Sequence, residues 1–326
     1  MRMLRVDTLS DDLSGVTLVE GLLTERKPDH VTVRVRAASL NFPDLLMTRG
    51  AYQLKPPLPF VLGMEMAGEV VECESGSGFA IGDRVVAGTR LGSFADYVHV
   101  DAAMLRRIPD GLDFATAASV GAAYLTAYVA LVALGRTQPG EWVLVHGATG
   151  GVGLAAVDLA LALGARVIAT SRSPDKLATL AAGYPVAATL PASGFREAVR
   201  DLTANDRGGG ADLVFDPVGG DVFDASTRCI GWGGRLLVIG FTSGRIPTVA
   251  ANIPLIKGFS VVGVRAGEYG RRNPAAGRAA SDAVWRLAAE GRIRPRVHAT
   301  YPLARWREAI DAMATSQHIG KLVIEP

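Results

Sequence analysis

Residues 143–173 read VLVHGATGGVGLAAVDLALALGARVIATSRS: an apolar strand, three glycines within four positions, and a long alanine-rich run. Where a strand turns into a helix, the first helical N–H groups lack intrahelical partners, and those donors together with the helix dipole favour an anion. Glycine lets a pyrophosphate approach the backbone closely. The strict G-x-G-x-x-G pattern is not met, because Ala148 stands where its first glycine would be, leaving Ala148-x-Gly150-x-x-Gly153. Set between a strand, a helix and a second strand about 20 residues on, the loop reads as a dinucleotide site with Ala148, Gly150, Gly151, Val152 and Gly153 as candidate contacts. The competing reading is glycines that only allow tight helix packing.

The end of that second strand decides which dinucleotide. An NAD site places Asp or Glu there to bind the ribose 2′-hydroxyl, and a carboxylate would repel a 2′-phosphate. This chain has Ser171, followed by Arg172 and, one helical turn into the next element, Lys176. Hydroxyl and cationic donors in place of the acid suit a phosphate, which points to NADPH. Read instead as ordinary solvated charges, Arg172 and Lys176 leave the missing acid unexplained.

The elements that must position these residues follow from rhythm. Residues 1–110 alternate at short range ("VTVRVRAA", "GEVVEC") with turns at "KPPLP", "SGSG" and "IGD", predicting a β-rich lobe. From about 120 to 265 the pattern becomes apolar strand, turn, helix: "WVLVHG", "ARVIAT", "ADLVFD", "GRLLVIG" and "FSVVGV" are the strands. Such alternation implies right-handed crossovers and a parallel sheet covered on both faces. Helices follow at about 274–290 and 303–314, and the closing "KLVIEP" reads as a strand that rejoins the first lobe. "RGGG" at 207–210 reads as a loop before "ADLVFD". The predicted organisation is α/β, in three segments: 1–121, 122–265 and 266–326.

With 326 residues, 49% hydrophobic and 20% charged, the chain is long for one core and suits two lobes of a globular protein. A net charge of +2 without a Lys/Arg block argues against nucleic acid as partner. The most apolar region, 115–134, is broken by Thr116, Ser119, Gly121, Thr126 and two tyrosines and reads as a buried helix rather than a membrane span. No secretory run opens the chain, and Cys73 and Cys229 are too far apart for a local pair, so a reduced, cytoplasmic setting is expected.

Taken together, "SLNFPDLLMTRGAYQLKPPLPFVLGMEMAGEVV", "GAAYLTAYVAL", "VLVHGATGGVGLAAV", "DPVGG", "GGRLLVIGF" and "GKLVIEP" make the chain resemble the zinc-independent quinone oxidoreductases of the medium-chain dehydrogenase/reductase superfamily. The resemblance spans nearly the whole chain. It implies a GroES-like catalytic domain, a Rossmann doubly wound domain, an active cleft between them and a homodimer, with "RLLVIG" and "FSVVGV" as candidate edge strands. It adds Thr126, Gly240, Phe241 and Lys321 to the cofactor contacts. Zinc dehydrogenases of the superfamily carry a cysteine and a Gly-His-Glu triplet where this chain has Asn41-Phe42-Pro43-Asp44 and Gly63-Met64-Glu65. Methionine and asparagine are poor replacements for thiolate and imidazole. None of His30, His99, His146, His298 and His318 forms a local metal pair, so no metal is expected.

Without zinc, easily reduced acceptors are the better substrates: a quinone or an α,β-unsaturated carbonyl takes hydride directly, and the oxyanion formed needs hydrogen-bond donors and then a proton. The resemblance places Asn41 beside the nicotinamide, to orient the ring or donate to the oxyanion; its alternative is a turn cap. Tyr52 matches a family tyrosine that serves as proton donor in related enoyl-thioester reductases, and phenols remain protonated at neutral pH. Its alternative is a pocket wall. Asp44 reads mainly as a helix cap. Thr126 has helix packing as its alternative, and Arg271 and Arg272 in "GEYGRRNP" either meet an acyl-CoA phosphate or sit in a solvated loop. Two departures stand out: Leu46 replaces a tyrosine that lines several family pockets, and Thr189-Leu190 replaces an Asp-Tyr pair near the adenosine phosphate. The expected activity is NADPH-dependent reduction of quinones or conjugated carbonyls. The rivals are a 2-enoyl-CoA (acryloyl-CoA-type) reductase and a non-catalytic NADPH- and partner-binding protein.

Overall fold

A computed structural model describes residues 1–204 and 209–326. Residues 207 and 208 of the "RGGG" loop lie outside the described residues. Contacts divide the chain into two units, Met1–Ala122 with Pro295–Pro326, and Ala123–Arg294.

The first unit is the β-rich one. Its main sheet runs in the order Val297–Pro302, Lys321–Glu325, His30–Ser39, Glu65–Glu72, Arg84–Gly88, Arg106–Arg107, with Tyr97–Asp101 also on His30–Ser39. The strand His30–Ser39 alternates as the sequence predicts, burying Val31, Val33 and Val35 while Arg34 and Arg36 face out. The closing strand does rejoin this lobe. Val323 pairs with Ser39 and Ile324 with Ala38, antiparallel, and Leu40 N–H continues the pairing onto Leu322 O at 2.9 Å. That register brings Lys321 to the end of the strand that carries Asn41.

The second unit holds a six-stranded parallel sheet in the order Ala188–Pro191, Arg166–Ser171, Trp142–Val145, Ala211–Asp216, Ile230–Val238, Ser260–Gly263. The earliest strand lies in the middle, so the order reverses between Trp142–Val145 and Ala211–Asp216, the position at which doubly wound sheets hold ligands. Val143, Leu144 and Val145 are fully buried, as expected of a strand covered on both faces.

Four expectations change. The apolar region 115–134 is not one helix but Phe114–Ala118, Gly121–Tyr128 and a π-helical turn Val129–Leu134. The Ser119 hydroxyl bonds back to Ala115 O, and Gly135 N–H bonds to Ala130 O, so each turn ends with its own partners. The return to the first unit starts at Pro295 rather than 266, because residues 266–294 form helices Ala266–Arg272 and Pro274–Ala289 within the second unit. "GEYGRR" is accordingly helical, with Glu268 paired to both Arg271 and Arg272. Of the two candidate edge strands, only Ser260–Gly263 is at the edge; Ile230–Val238 lies inside it. Among the described residues no helix is long and apolar enough to cross a membrane.

Candidate active site

In the second unit the glycine loop follows Val145 at the switch of strand order. Gly147 has φ +56°, and a Cβ at Gly153 would lie 2.1 Å from Gly147 O, so only glycine permits the first turn of helix Gly151–Ala162 to pack on the loop. Leu154 N–H makes the first helical bond, to Gly150 O. Gly151, Val152 and Gly153 therefore open the helix with N–H groups that have no intrahelical acceptor, while Ala148 is buried and bonds Thr170 O. The turn after Asp216 lies alongside: a Cβ at Gly147 would touch Val218 and Pro217. Asp216 Oδ1 accepts from Val218 and Gly219 N–H, and Phe241 packs so close to Gly219 that a Cβ there would sit 2.9 Å from its ring. Gly240 and Phe241 are held to this turn by the bonds Ile239 N–H to Asp216 O and Thr242 N–H to Pro217 O. Asp216 Oδ2 is buried without a partner, and burial raises its pKa.

Ser171 ends its strand as predicted, but it is buried and its hydroxyl is hydrogen-bonded to Thr149 Oγ1 at 3.0 Å. It fastens the strand end to the glycine loop. Arg172 is exposed, and Lys176 lies in the first turn of helix Pro174–Gly183. Burial, and then the neighbouring Arg172 charge, lowers the Lys176 pKa. Two cations held near one another with no acid at the strand end fit a 2′-phosphate. Thr126 is half-buried on helix Gly121–Tyr128, and Thr189 and Leu190 lie within edge strand Ala188–Pro191. His146, just before the loop, is fully buried between Thr170 Oγ1 and Ser226 Oγ; burial drives its pKa down to about 3. It is a structural, neutral histidine.

The first unit builds its site from charge. Asn41 precedes helix Phe42–Thr48; its N–H donates to Asp44 Oδ2 at 2.8 Å, and Asp44 N–H returns a bond to Asn41 O. Asp44 is thus the cap that its position predicts. It is completely buried, Oδ1 has no partner, and burial pushes its pKa up to about 7 against the opposing pull of the Asn41 N–H and Lys321. The Asn41 amide is gripped at both ends: Nδ2 donates to Ser39 O at 3.2 Å and to Glu65 Oε1 at 2.9 Å, and Oδ1 accepts from Lys321 Nζ at 2.7 Å. Lys321 also donates to Leu40 O and Glu65 Oε1. Glu65 further accepts from Ser39 Oγ and from Ala122 N–H at the start of helix Gly121–Tyr128. Tyr52 is half-buried against the core of this unit, and its hydroxyl has no hydrogen-bond partner among the described residues. Leu46 is half-buried on helix Phe42–Thr48.

Glu65 is the residue that sequence reasoning passed over. An acid flanked by two methionines in "GMEMAGEVV" and a single cation in "KLVIEP", each beside apolar strand residues, are the available signal, because buried charges are held in pairs. The donors around Asn41 do not fit zinc. A neutral thioether at Met64 and an amide at Asn41 are poor zinc ligands, Glu65 is engaged by an ammonium, and no group of three His, Cys, Asp or Glu suited to a metal occurs among the described residues.

Residues 27–110 match the alcohol dehydrogenase GroES-like domain and residues 151–282 the zinc-binding dehydrogenase family. The chain is 37% identical over 299 residues to quinone oxidoreductase-like protein 2 homolog of Nematostella vectensis, covering 90% of this chain and 81% of that protein. It is 38% identical over 296 residues to a stretch amounting to 5% of polyketide synthase GfsB of Streptomyces halstedii, which covers 90% of this chain. Among solved structures, the quinone oxidoreductase of Thermus thermophilus, determined alone and in complex with NADPH, superposes with a TM-score of 0.84 at 30% identity over the whole of both chains.

Proposed function

Because the chain belongs to the quinone oxidoreductase-like proteins of the medium-chain dehydrogenase/reductase superfamily, we propose that it is a zinc-independent, NADPH-dependent reductase of quinones or other conjugated carbonyls. The observation that carries the reading is the Asn41–Glu65–Lys321 network: around Asn41, which stands in the segment where the resemblance would put a zinc-binding cysteine, an amide, a carboxylate and an ammonium satisfy one another. An acceptor that needs no Lewis acid suits it.

NADPH, when bound, supplies the hydride. The N–H groups of Gly151, Val152 and Gly153 take the pyrophosphate charge, and Arg172 and Lys176 take the 2′-phosphate, which relieves their mutual repulsion. Gly240 and Phe241 form the neighbouring wall on the Asp216–Gly219 turn. Asn41 orients the nicotinamide. The unpartnered Tyr52 hydroxyl, or water, delivers the proton to the oxyanion. The same hydroxyl favours the second reading, reduction of a 2-enoyl thioester, whose enolate carbon needs a proton. We further propose a homodimer through edge strand Ser260–Gly263: Trp232, Leu255 and Ile256 are 75%, 78% and 71% exposed, and Trp232 packs on Gly258 just before that strand. Both cysteines are free, which suits a cytoplasmic setting.

The test is NADPH consumption by chelator-dialysed protein with phenanthrenequinone, benzoquinone, crotonyl-CoA and acryloyl-CoA. Turnover of quinones that survives the chelator is expected. Turnover confined to the thioesters replaces the first reading by the second, and turnover restored only by added zinc overturns both.

A further inference from the structure

Asn41 has one acceptor oxygen and two N–H donors on its amide, and the network accounts for nearly all of that capacity. Both N–H groups are committed, one to Ser39 O and one to Glu65 Oε1. Oδ1 accepts from the Lys321 ammonium and retains one lone pair. The assignment of oxygen and nitrogen is dictated by chemistry, since an ammonium cannot face an NH2 group and a carboxylate cannot face a carbonyl oxygen. Lys321 in turn spends its three donors on Leu40 O, Asn41 Oδ1 and Glu65 Oε1. With side chains only 7% and 3% exposed, Lys321 and Glu65 face the protein.

We infer that Lys321 and Glu65 are positioning residues that lock the Asn41 amide as a hydrogen-bond acceptor. Asn41 then receives an N–H from the nicotinamide carboxamide and fixes the orientation of the ring. It has no N–H left for the oxyanion, whose stabilisation falls to other donors. This assignment departs from a direct cofactor contact by Lys321, and it rests on the reading that Asn41 meets the nicotinamide. The lock itself does not rest on that reading: it is a property of Ser39, Leu40, Asn41, Glu65 and Lys321 alone.

Two readouts separate the lock from the function. The chain has four asparagines, so selective 15N labelling gives four side-chain amide pairs, and Asn41→Asp identifies the one from residue 41. In the wild type that pair exchanges with solvent slowly; in Lys321→Met/Glu65→Gln, which avoids leaving one buried charge alone, protection drops on the order of 10-fold or more. Lys321→Arg keeps the charge and restores part of it. Unchanged protection in the double variant overturns the lock. In kinetics, the double variant lowers kcat on the order of 10- to 100-fold, since orientation acts on the chemical step, and leaves the dissociation constant for NADPH within about three-fold. It also transfers hydride from both faces of stereospecifically deuterated NADPH where the wild type uses one. A dissociation constant raised more than about ten-fold with kcat kept at saturation makes Lys321 a cofactor contact and overturns the assignment. If the wild type binds NADPH yet reduces no acceptor while the amide lock is observed, the proposed function fails and the lock stands.

Discussion

The glycine loop of the second unit and the Asn41 network of the first solve different problems with different materials. The loop presents backbone N–H groups at a helix start, with two cations, Arg172 and Lys176, close by in sequence, all within residues 147–176. The network fixes one amide by means of a carboxylate and an ammonium from strands far apart in sequence, residues 65 and 321. Holding charge is a local task that backbone geometry performs; orienting a reacting ring is a tertiary one that needs buried, mutually satisfied side chains. The first kind of site survives substitution of one partner with a loss of affinity. The second loses stability as well, because its remaining charge is left buried without a partner.

Acid and base should separate the two units most sharply. In the second unit His146 is buried neutral at about 3, below its ordinary 6.5. The unfolded chain therefore binds the extra proton between those values, and the contribution of His146 to stability, complete above pH 6.5, is lost as pH falls toward 3, with a ceiling of about 5 kcal/mol. In the first unit Asp44 sits at about 7, above its ordinary 3.8. There the folded state keeps the proton longer, so the contribution is complete below pH 3.8 and lost as pH rises through 7, with a ceiling of about 4 kcal/mol. Hydrogen-exchange opening energies, followed separately in the two units, check both signs. Asp44→Asn should flatten the decline in the first unit between pH 4 and 7, and His146→Gln the decline in the second below about pH 6.5. Profiles of the same sign in both units contradict the contrast.

Glu65→Ala comes next. It strands the Lys321 ammonium and removes the carboxylate that the Ser39 hydroxyl, an Asn41 amide N–H and the Ala122 N–H bond to, which should cost about 3–5 kcal/mol in urea unfolding. A loss below about 1 kcal/mol would mean that the network relaxes around the gap. The smallest effect on the chemistry is expected at the sheet edge. Trp232→Lys with Leu255→Glu should convert dimer to monomer in light scattering while changing turnover per chain less than about three-fold; an unchanged mass removes the edge strand as the interface.

The same contrast explains what was legible in the sequence. The parallel sheet announced itself through apolar strands such as "WVLVHG" and "ADLVFD", and the glycine loop through its spacing between strand and helix. The closing strand was readable too, because "KLVIEP" is a short apolar run. Hidden were features set by distant partners. The break in 115–134 comes with Glu65 accepting from Ala122 N–H, which no local pattern encodes. The inward role of Lys321 depends on the register that sets Val323 against Ser39. The bond between the Ser171 and Thr149 hydroxyls was hidden too, because only the folded loop reveals the place of Thr149. The helix Ala266–Arg272 was masked by its paired arginines, which Glu268 holds on one helical face.

The most direct measurement is kcat/KM for NADPH and for NADH with phenanthrenequinone, in chelator-treated wild type and in Arg172→Ala/Lys176→Ala. We expect a preference for NADPH in the wild type of about 100-fold or more that the double variant abolishes by weakening NADPH alone, since two charge-assisted bonds to a phosphate contribute about 1.5–3 kcal/mol each. A wild type that uses NADH equally well, or a variant that loses both cofactors alike, would contradict it.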